Sequence, residues 1–379
     1  MAIKEEFTKY AEECQGELIE LIKEISVIPA PSHHEERRAE FVKNWMEKNG
    51  AEGVFIDDAL NVIWPYNVTD DNDVIVFMGH TDIVFPEETP LNVTEKDGRL
   101  YCPGIGDDVA RLAALLMAAK YFMQNGYESN YGILFIANSC EEGLGNLKGS
   151  RMIVDTYGER IKNFITYDGI LGGIVTNAVG SHRYKITVKT CGGHSWNAFG
   201  NPNAIAIMSD VIAELKKVEI PKNGENSRTT YNFGGISGGT SVNTIAPSCE
   251  MLYEYRSNDI VCINKMKEFF DGVIASFKEK DIDISVELLG ERPCKGDVDE
   301  KAHKELIEKV IASYKEAGYD SKLVSGSTDA NYPLFKGIPA VCAGTCIAGG
   351  AHTVDEWVDI KSLYPGMCFI LDFMAKFFK

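Results

Sequence analysis

Hydrophobic positions along the chain follow two rhythms. Apolar residues at three- and four-residue spacing predict a helix over 4–27, with Phe7, Tyr10, Ala11, Leu18, Leu21, Ile22 and Ile25 on one face. Pro29 and Pro31 end it, and a second helix over 35–48 follows, with Ser32 as its cap. Short unbroken apolar runs bounded by turn residues predict buried strands near 53–56, 61–65, 74–78, 132–138 and 163–167. The acidic stretch TDDND at 69–73 reads as a hairpin turn, and a strongly apolar helix runs from about 108 to Gly126.

The pattern changes after about 180. Residues 183–190 alternate as a half-exposed strand, followed by a helix at 202–217, strands near 229–234, 241–246 and 249–256, a helix at 262–278 and a strand near 282–289. This β-α-β-β-α-β order has an apolar set of its own and predicts a small domain over 181–291, inserted into a larger α/β domain formed by 1–180 and 292–379. The larger domain resumes with a helix at 298–317, a glycine-rich loop at 325–333, a strand at 338–343 and a final helix at 361–377.

Composition narrows the function classes. A net charge of −18 over 379 residues argues against nucleic acid or an anionic membrane as the main partner. No apolar run approaches the ~20 residues of a membrane span, and the first twenty residues lack the layout of a signal peptide. Ten irregularly spaced cysteines then read as free thiols in a reducing cytoplasm. Cys342 and Cys346 form half of a zinc motif with no second half nearby, so they read as structural.

The candidate chemistry collects where apolar strands stop. VFMGHTDIV (76–84) delivers His80 and Asp82, Asp107 and Asp108 follow PGIG, Glu141 and Glu142 follow GILFIANSC, and Asp168 ends the strand near 163–167. In open α/β sheets, ligands sit just past the carboxyl ends of strands. The Gly104-x-Gly106 pair invites a dinucleotide reading, but the third glycine is absent and two acids there would repel a pyrophosphate. Adding His352 gives two imidazoles and three carboxylates (Asp107, Glu142 and Asp168), a donor set that suits zinc, cobalt or manganese. Five donors suit two ions sharing one carboxylate. Asp107 fits that bridge, with His80 and Asp168 completing one ion and Glu142 and His352 the other. Asp82 is placed to accept the second ring N–H of His80, and Glu141 to act as general base. Asp329 reads as a loop-ordering side chain, and His33, His34, His182 and His303 as surface residues.

The ordered motifs GHTD, GDD, EEG, YDG, GGHS, SVNTIAP, YRS, GSTDA and GAH span essentially the whole chain. In that order they resemble the family of peptidase T, carboxypeptidase G, aminoacylase and the acetylornithine or succinyl-diaminopimelate deacylases. The resemblance implies an αβα catalytic domain with an inserted ferredoxin-like lid that often dimerises. It implies a two-zinc hydrolase that cleaves small peptides by attack of an activated water, or alternatively deacylates N-acyl amino acids. It also implies the same roles for the ligands, Asp82 and Glu141. The choice of Asp107 over Asp108 as bridge rests on the motif register. The resemblance further suggests His194 as the group that polarises the scissile carbonyl, and Asn243 and Arg256 as partners for a substrate carboxylate. One departure is clear: Val109-Ala110-Arg111 stands where members commonly carry Lys-Gly-Gly, which bears on substrate choice.

Two rival readings remain at this level. Gly235-Ile236-Ser237-Gly238-Gly239 matches a nucleophile elbow, which requires a helix to follow; the β-branched TSVNTIAP reads instead as a strand. The other rival is a metal-free binding protein on the same fold.

Overall fold

The computed structural model describes residues 3–379 and divides into two compact units: the chain up to Ala178 together with Gly296–Lys379, and Val179–Lys295.

The larger unit is built on an eight-stranded mixed sheet. Its order is Phe55–Ile56, Val62–Tyr66, Gly132–Asn138, Val74–His80, Ile161–Leu171, Ala340–Gly344, Gly173–Ala178 and Lys322–Gly326. The three strands around Val74–His80 run parallel, which brings the ends carrying His80 and Asn138 side by side in register. Both central runs, VIVFMGH and GILFIAN, are buried at every position, as a parallel sheet covered on two faces requires. Successive side chains point to opposite faces. Ile75 and Phe77 therefore join one core with the helices Gln15–Ser26, Ala110–Gln124 and Ile360–Ala375, while Val74, Val76 and Met78 join another with Ile153, Val154 and Leu334. Phe77 is fully buried and stacks on Phe135 at 6.0 Å and Tyr167 at 6.3 Å. Burying one such side chain contributes about 1.5–3 kcal/mol. The result is an αβα sandwich.

The smaller unit has a four-stranded antiparallel sheet in the order Thr229–Gly238, Ser248–Ser257, Gly180–Lys189, Asp283–Arg292. The helices Ala204–Leu215 and Ile260–Lys278 enclose a separate core of Ile186, Val188, Met208, Val211, Met251 and Phe270. Its α+β topology is ferredoxin-like.

Several local expectations are corrected. The first helix is two, Glu5–Glu13 and Gln15–Ser26, meeting at Cys14. TDDND closes no hairpin, because Gly132–Asn138 lies between the strands on either side of it. The strand expected at 241–246 shrinks to Thr244–Ile245, paired with Gly193–His194; Ser241 and Asn243 form a turn and Val242 is fully exposed. Its β-branched residues gave a strand signal over a segment whose first half is a turn, closed by the Thr244 N–H on the Ser241 carbonyl. Short strands at Thr94–Lys96, Arg99–Tyr101 and Trp357–Asp359 are too brief to carry a period. His182 and His303 are buried, not surface residues: His182 Nδ1 lies 2.8 Å from the Tyr255 hydroxyl, and His303 Nε2 lies 2.9 Å from the Ala340 carbonyl oxygen. Among the described residues, no helix is long and apolar enough to cross a membrane.

Candidate metal centre

The cluster is built at the ends of the central strands of the larger unit. His80 is the last residue of its strand, and its backbone N–H donates to Asp108 Oδ2 at 3.0 Å. Its Nδ1 lies 3.0 Å from the Asp82 carbonyl oxygen and 3.4 Å from Asp82 Oδ1. Asp82, the residue expected to orient the ring, thus lies beside Nδ1, with its main-chain carbonyl the nearer acceptor. Nε2 is left facing Asp107 Oδ1 at 3.1 Å.

Asp107 stands in the turn Ile105–Val109, next to a cis peptide bond to Asp108. Its Oδ2 lies 3.4 Å from His352 Nε2, which is also 3.2 Å from Glu142 Oε1. Asp107 is thus flanked by both imidazoles, whereas Asp108 turns inward, buried against the His80 N–H and Arg111. One ligand atom each from His80, Asp107 and Asp168 fall within 4.8 Å of one another, and so do those of Asp107, Glu142 and His352. A third such group, His80, Glu141 and Glu142, brings Glu141 alongside. His80, Glu141 and Glu142 are buried, Asp107 and Asp168 half-buried, and His352 is exposed, so within this unit the cluster is reached from the His352 side.

The electrostatics are those of crowded acids. Burial, and then the neighbouring Asp107 charge, push the Glu142 carboxyl up to about 7. The Asp107 contact, with help from Glu142, raises His352 to about 9. Burial alone would raise Asp82, but His80, the Ser32 hydroxyl and the Glu142 N–H outweigh it and hold the carboxyl below its usual range. Three clustered carboxylates with two nitrogen donors form a hard, anionic set that fits divalent zinc, cobalt or manganese.

Four supporting residues escaped the sequence reading. Ser32 does not cap a helix; its hydroxyl donates to Asp82 Oδ2 at 2.6 Å. Arg111 is buried, with Nη1 3.4 Å from Asp108 and 3.9 Å from Asp168 and Nε donating to the Gly169 carbonyl. Asn138 donates to the buried Asp329 at 2.6 Å, beside the end of the His80 strand. Glu356 is buried against the Asp107 turn. Arg111 was marked in the sequence only as part of the departure after the second aspartate, and Ser32 only as a helix cap.

In the smaller unit, His194 Nδ1 accepts the backbone N–H of Trp196 at 3.2 Å and of Asn197 at 3.4 Å. The Asn243 carbonyl accepts the Ser195 N–H, and Asn243 Oδ1 accepts the Ser241 hydroxyl. Arg256 spends one edge of its guanidinium on Glu254, with both contacts at 3.0 Å. Ser237 lies inside a paired strand opposite Glu250, and no helix follows it, so it forms no nucleophile elbow.

An αβα sandwich with a carboxylate–imidazole cluster at its strand ends defines a class of α/β proteins suited to holding divalent ions. The description "Peptidase family M20/M25/M40" matches residues 76–376, and the chain belongs to that family. It is 28% identical over 246 residues to a succinyl-diaminopimelate desuccinylase of Pseudoalteromonas atlantica, covering 60% of this chain and 63% of that protein's length. Among solved structures, a tripeptidase from Staphylococcus aureus superposes with a TM-score of 0.77 at 22% identity, covering 96% of this chain and 98% of the other. The Bacillus subtilis YXEP protein, described as a dinuclear metal-binding M20 peptidase, superposes with a TM-score of 0.65 at 16% identity, covering 96% and 98%.

Proposed function

We propose that the chain is a two-zinc amidohydrolase that cleaves the amide bond of small peptides as a dipeptidase, tripeptidase or other exopeptidase, with cobalt or manganese as substitute ions. The observation that carries this reading is the position of Asp107, with one carboxylate oxygen toward His80 Nε2 and the other toward His352 Nε2. In this reading His80 and Asp168 would hold one ion and Glu142 and His352 the other, with Asp107 as the ligand common to both groups. Bound divalent ions supply Lewis acidity there.

The remaining steps belong to the protein. Glu141, buried beside Glu142 and fixed at its backbone by Asp82, takes the proton of the attacking water and later returns it to the leaving amine. His194 accepts hydrogen bonds at Nδ1, so its ring proton sits on Nε2 and can be donated to the developing oxyanion. Asn243 and Arg256 take the substrate carboxylate; Glu254 occupies the Nε edge of Arg256, which leaves the outer edge of the fork for that task.

Deacylation of an N-acyl amino acid is the second reading, and likeness to the desuccinylase favours it. The same water attack and proton return serve both. Ten unpaired cysteines support a reducing cytoplasmic setting. Trp196 and Phe199, 84% and 91% exposed on the smaller unit, support a homodimer formed through it. The test is chelation followed by zinc, cobalt or manganese add-back, assayed on di- and tripeptides and N-acyl amino acids. Recovered hydrolysis is expected; a protein that holds the ions but cleaves neither class would contradict the reading.

A further inference from the structure

The glycine-x-glycine turn before Asp107 resembles an anion-binding loop in sequence, and in the structure it holds a carboxyl group supplied by the chain itself. Glu356 is buried, and its Oε2 accepts the N–H of Gly104 at 2.9 Å. Its Oε1 accepts the N–H groups of Gly106 at 2.8 Å and Asp107 at 2.7 Å. Backbone N–H groups converging in a turn form a concavity that favours a carboxylate. The Glu356 backbone carbonyl also accepts the Cys102 N–H at 3.1 Å, so main chain and side chain grip the same segment. The two glycines are what allow this approach. Gly104 has a left-handed φ of 75°, and a Cβ on Gly106 would lie 2.7 Å from Ala348 Cβ and 3.1 Å from Glu356 Oε1.

Glu356 follows His352 by four residues, so one short segment carries both an imidazole of the cluster and the clamp on the turn that presents Asp107. We propose that Glu356 is a positioning residue: it locks the Asp107 turn to the His352 segment and thereby fixes the spacing of the two-ion centre. This rests on the two-ion reading above. Glu356 touches no substrate; it acts through the Asp107 backbone.

Manganese(II) alone is the probe. The unaltered chain is expected to bind two ions and to show the exchange-coupled magnetic resonance spectrum of a bridged pair. Glu356→Gln turns one acceptor into a donor facing an N–H, and Glu356→Asp withdraws the carboxylate by one methylene. Both variants are expected to keep the unaltered circular dichroism and one ion. They should hold the second ion at least about tenfold more weakly, show an isolated-ion spectrum, and lose more in kcat than they gain in KM. Two tightly held, coupled ions in both variants would overturn the role of Glu356 and leave the two-ion reading standing. An unaltered chain that takes up no coupled pair would overturn both. Should neither variant fold, amide exchange in the ion-free unaltered protein decides. Slow exchange at Gly104, Gly106 and Asp107 supports the clamp, and exchange as fast as an exposed loop overturns it.

Discussion

Asp82 and Glu141 are joined side chain to backbone: Asp82 Oδ1 accepts the Glu141 N–H at 2.9 Å. The other oxygen accepts the Glu142 N–H at 2.9 Å, and Oδ1 also stands 3.4 Å from His80 Nδ1. One buried carboxylate therefore sets the imidazole and the start of the glutamate pair together. Asp82→Ala leaves two buried N–H groups without an acceptor, at roughly 1–3 kcal/mol each. Losing a ligand's orienting partner typically costs ~10–100-fold in metal affinity or activity. Chelator competition and turnover should both register the loss, and wild-type values for both would mean that the contact is passive.

Glu141→Gln separates proton transfer from ion binding. The side chain keeps its size but cannot accept a proton, so kcat should fall by about 10²–10⁴-fold. Elemental analysis of the same preparation should still find the unaltered ion content. Retained turnover would remove Glu141 as the base.

His194→Ala removes a group that lies outside the ligand cluster. Loss of one oxyanion donor costs ~10²–10³-fold in kcat. Ion content should not change, and an unchanged kcat would refute the role proposed for Nε2.

Ion removal should also be visible as stability. Saturating a native site at one hundred times its dissociation constant adds about 2.7 kcal/mol. For a unit of this size that corresponds to roughly 5–10 °C in Tm. Melting curves with and without chelator should differ by that order, and coincident curves would argue that the five donors hold nothing.

Phe77→Ala tests the layering rather than the chemistry. Phe77 is fully buried between Phe135, Tyr167 and Phe373. Truncating such a side chain costs ~3–5 kcal/mol. An unfolding free energy from urea titration within ~1 kcal/mol of the original would mean that this core is not packed as described.

The strands that carry the cluster were legible because they are continuous apolar runs: Val74–His80 and Gly132–Asn138 have no polar residue until the sheet ends. The polar residues just beyond them could then be read as a site. What stayed hidden depends on long-range contact. Glu356 sits between an exposed loop and a three-residue strand, and nothing local says that its carboxylate reaches the turn at Gly104. Ser32 looked like a cap because it precedes a helix, yet its hydroxyl is spent 50 residues away on Asp82. Arg256 was legible as a cation, but its pairing with Glu254 is set by strand geometry, which puts alternate residues on one face. Of the strand expected at 241–246 only Thr244–Ile245 pairs, because β-branched residues raise strand propensity without extending a partner strand.

The central claim is that Asp107 bridges two divalent ions held by His80, Asp168, Glu142 and His352. Anomalous diffraction at the zinc edge, from crystals of zinc-loaded protein, tests it most directly. Two peaks roughly 3.5–4 Å apart, one on each side of the Asp107 carboxylate, are expected; a single peak, or none at that cluster, would contradict it.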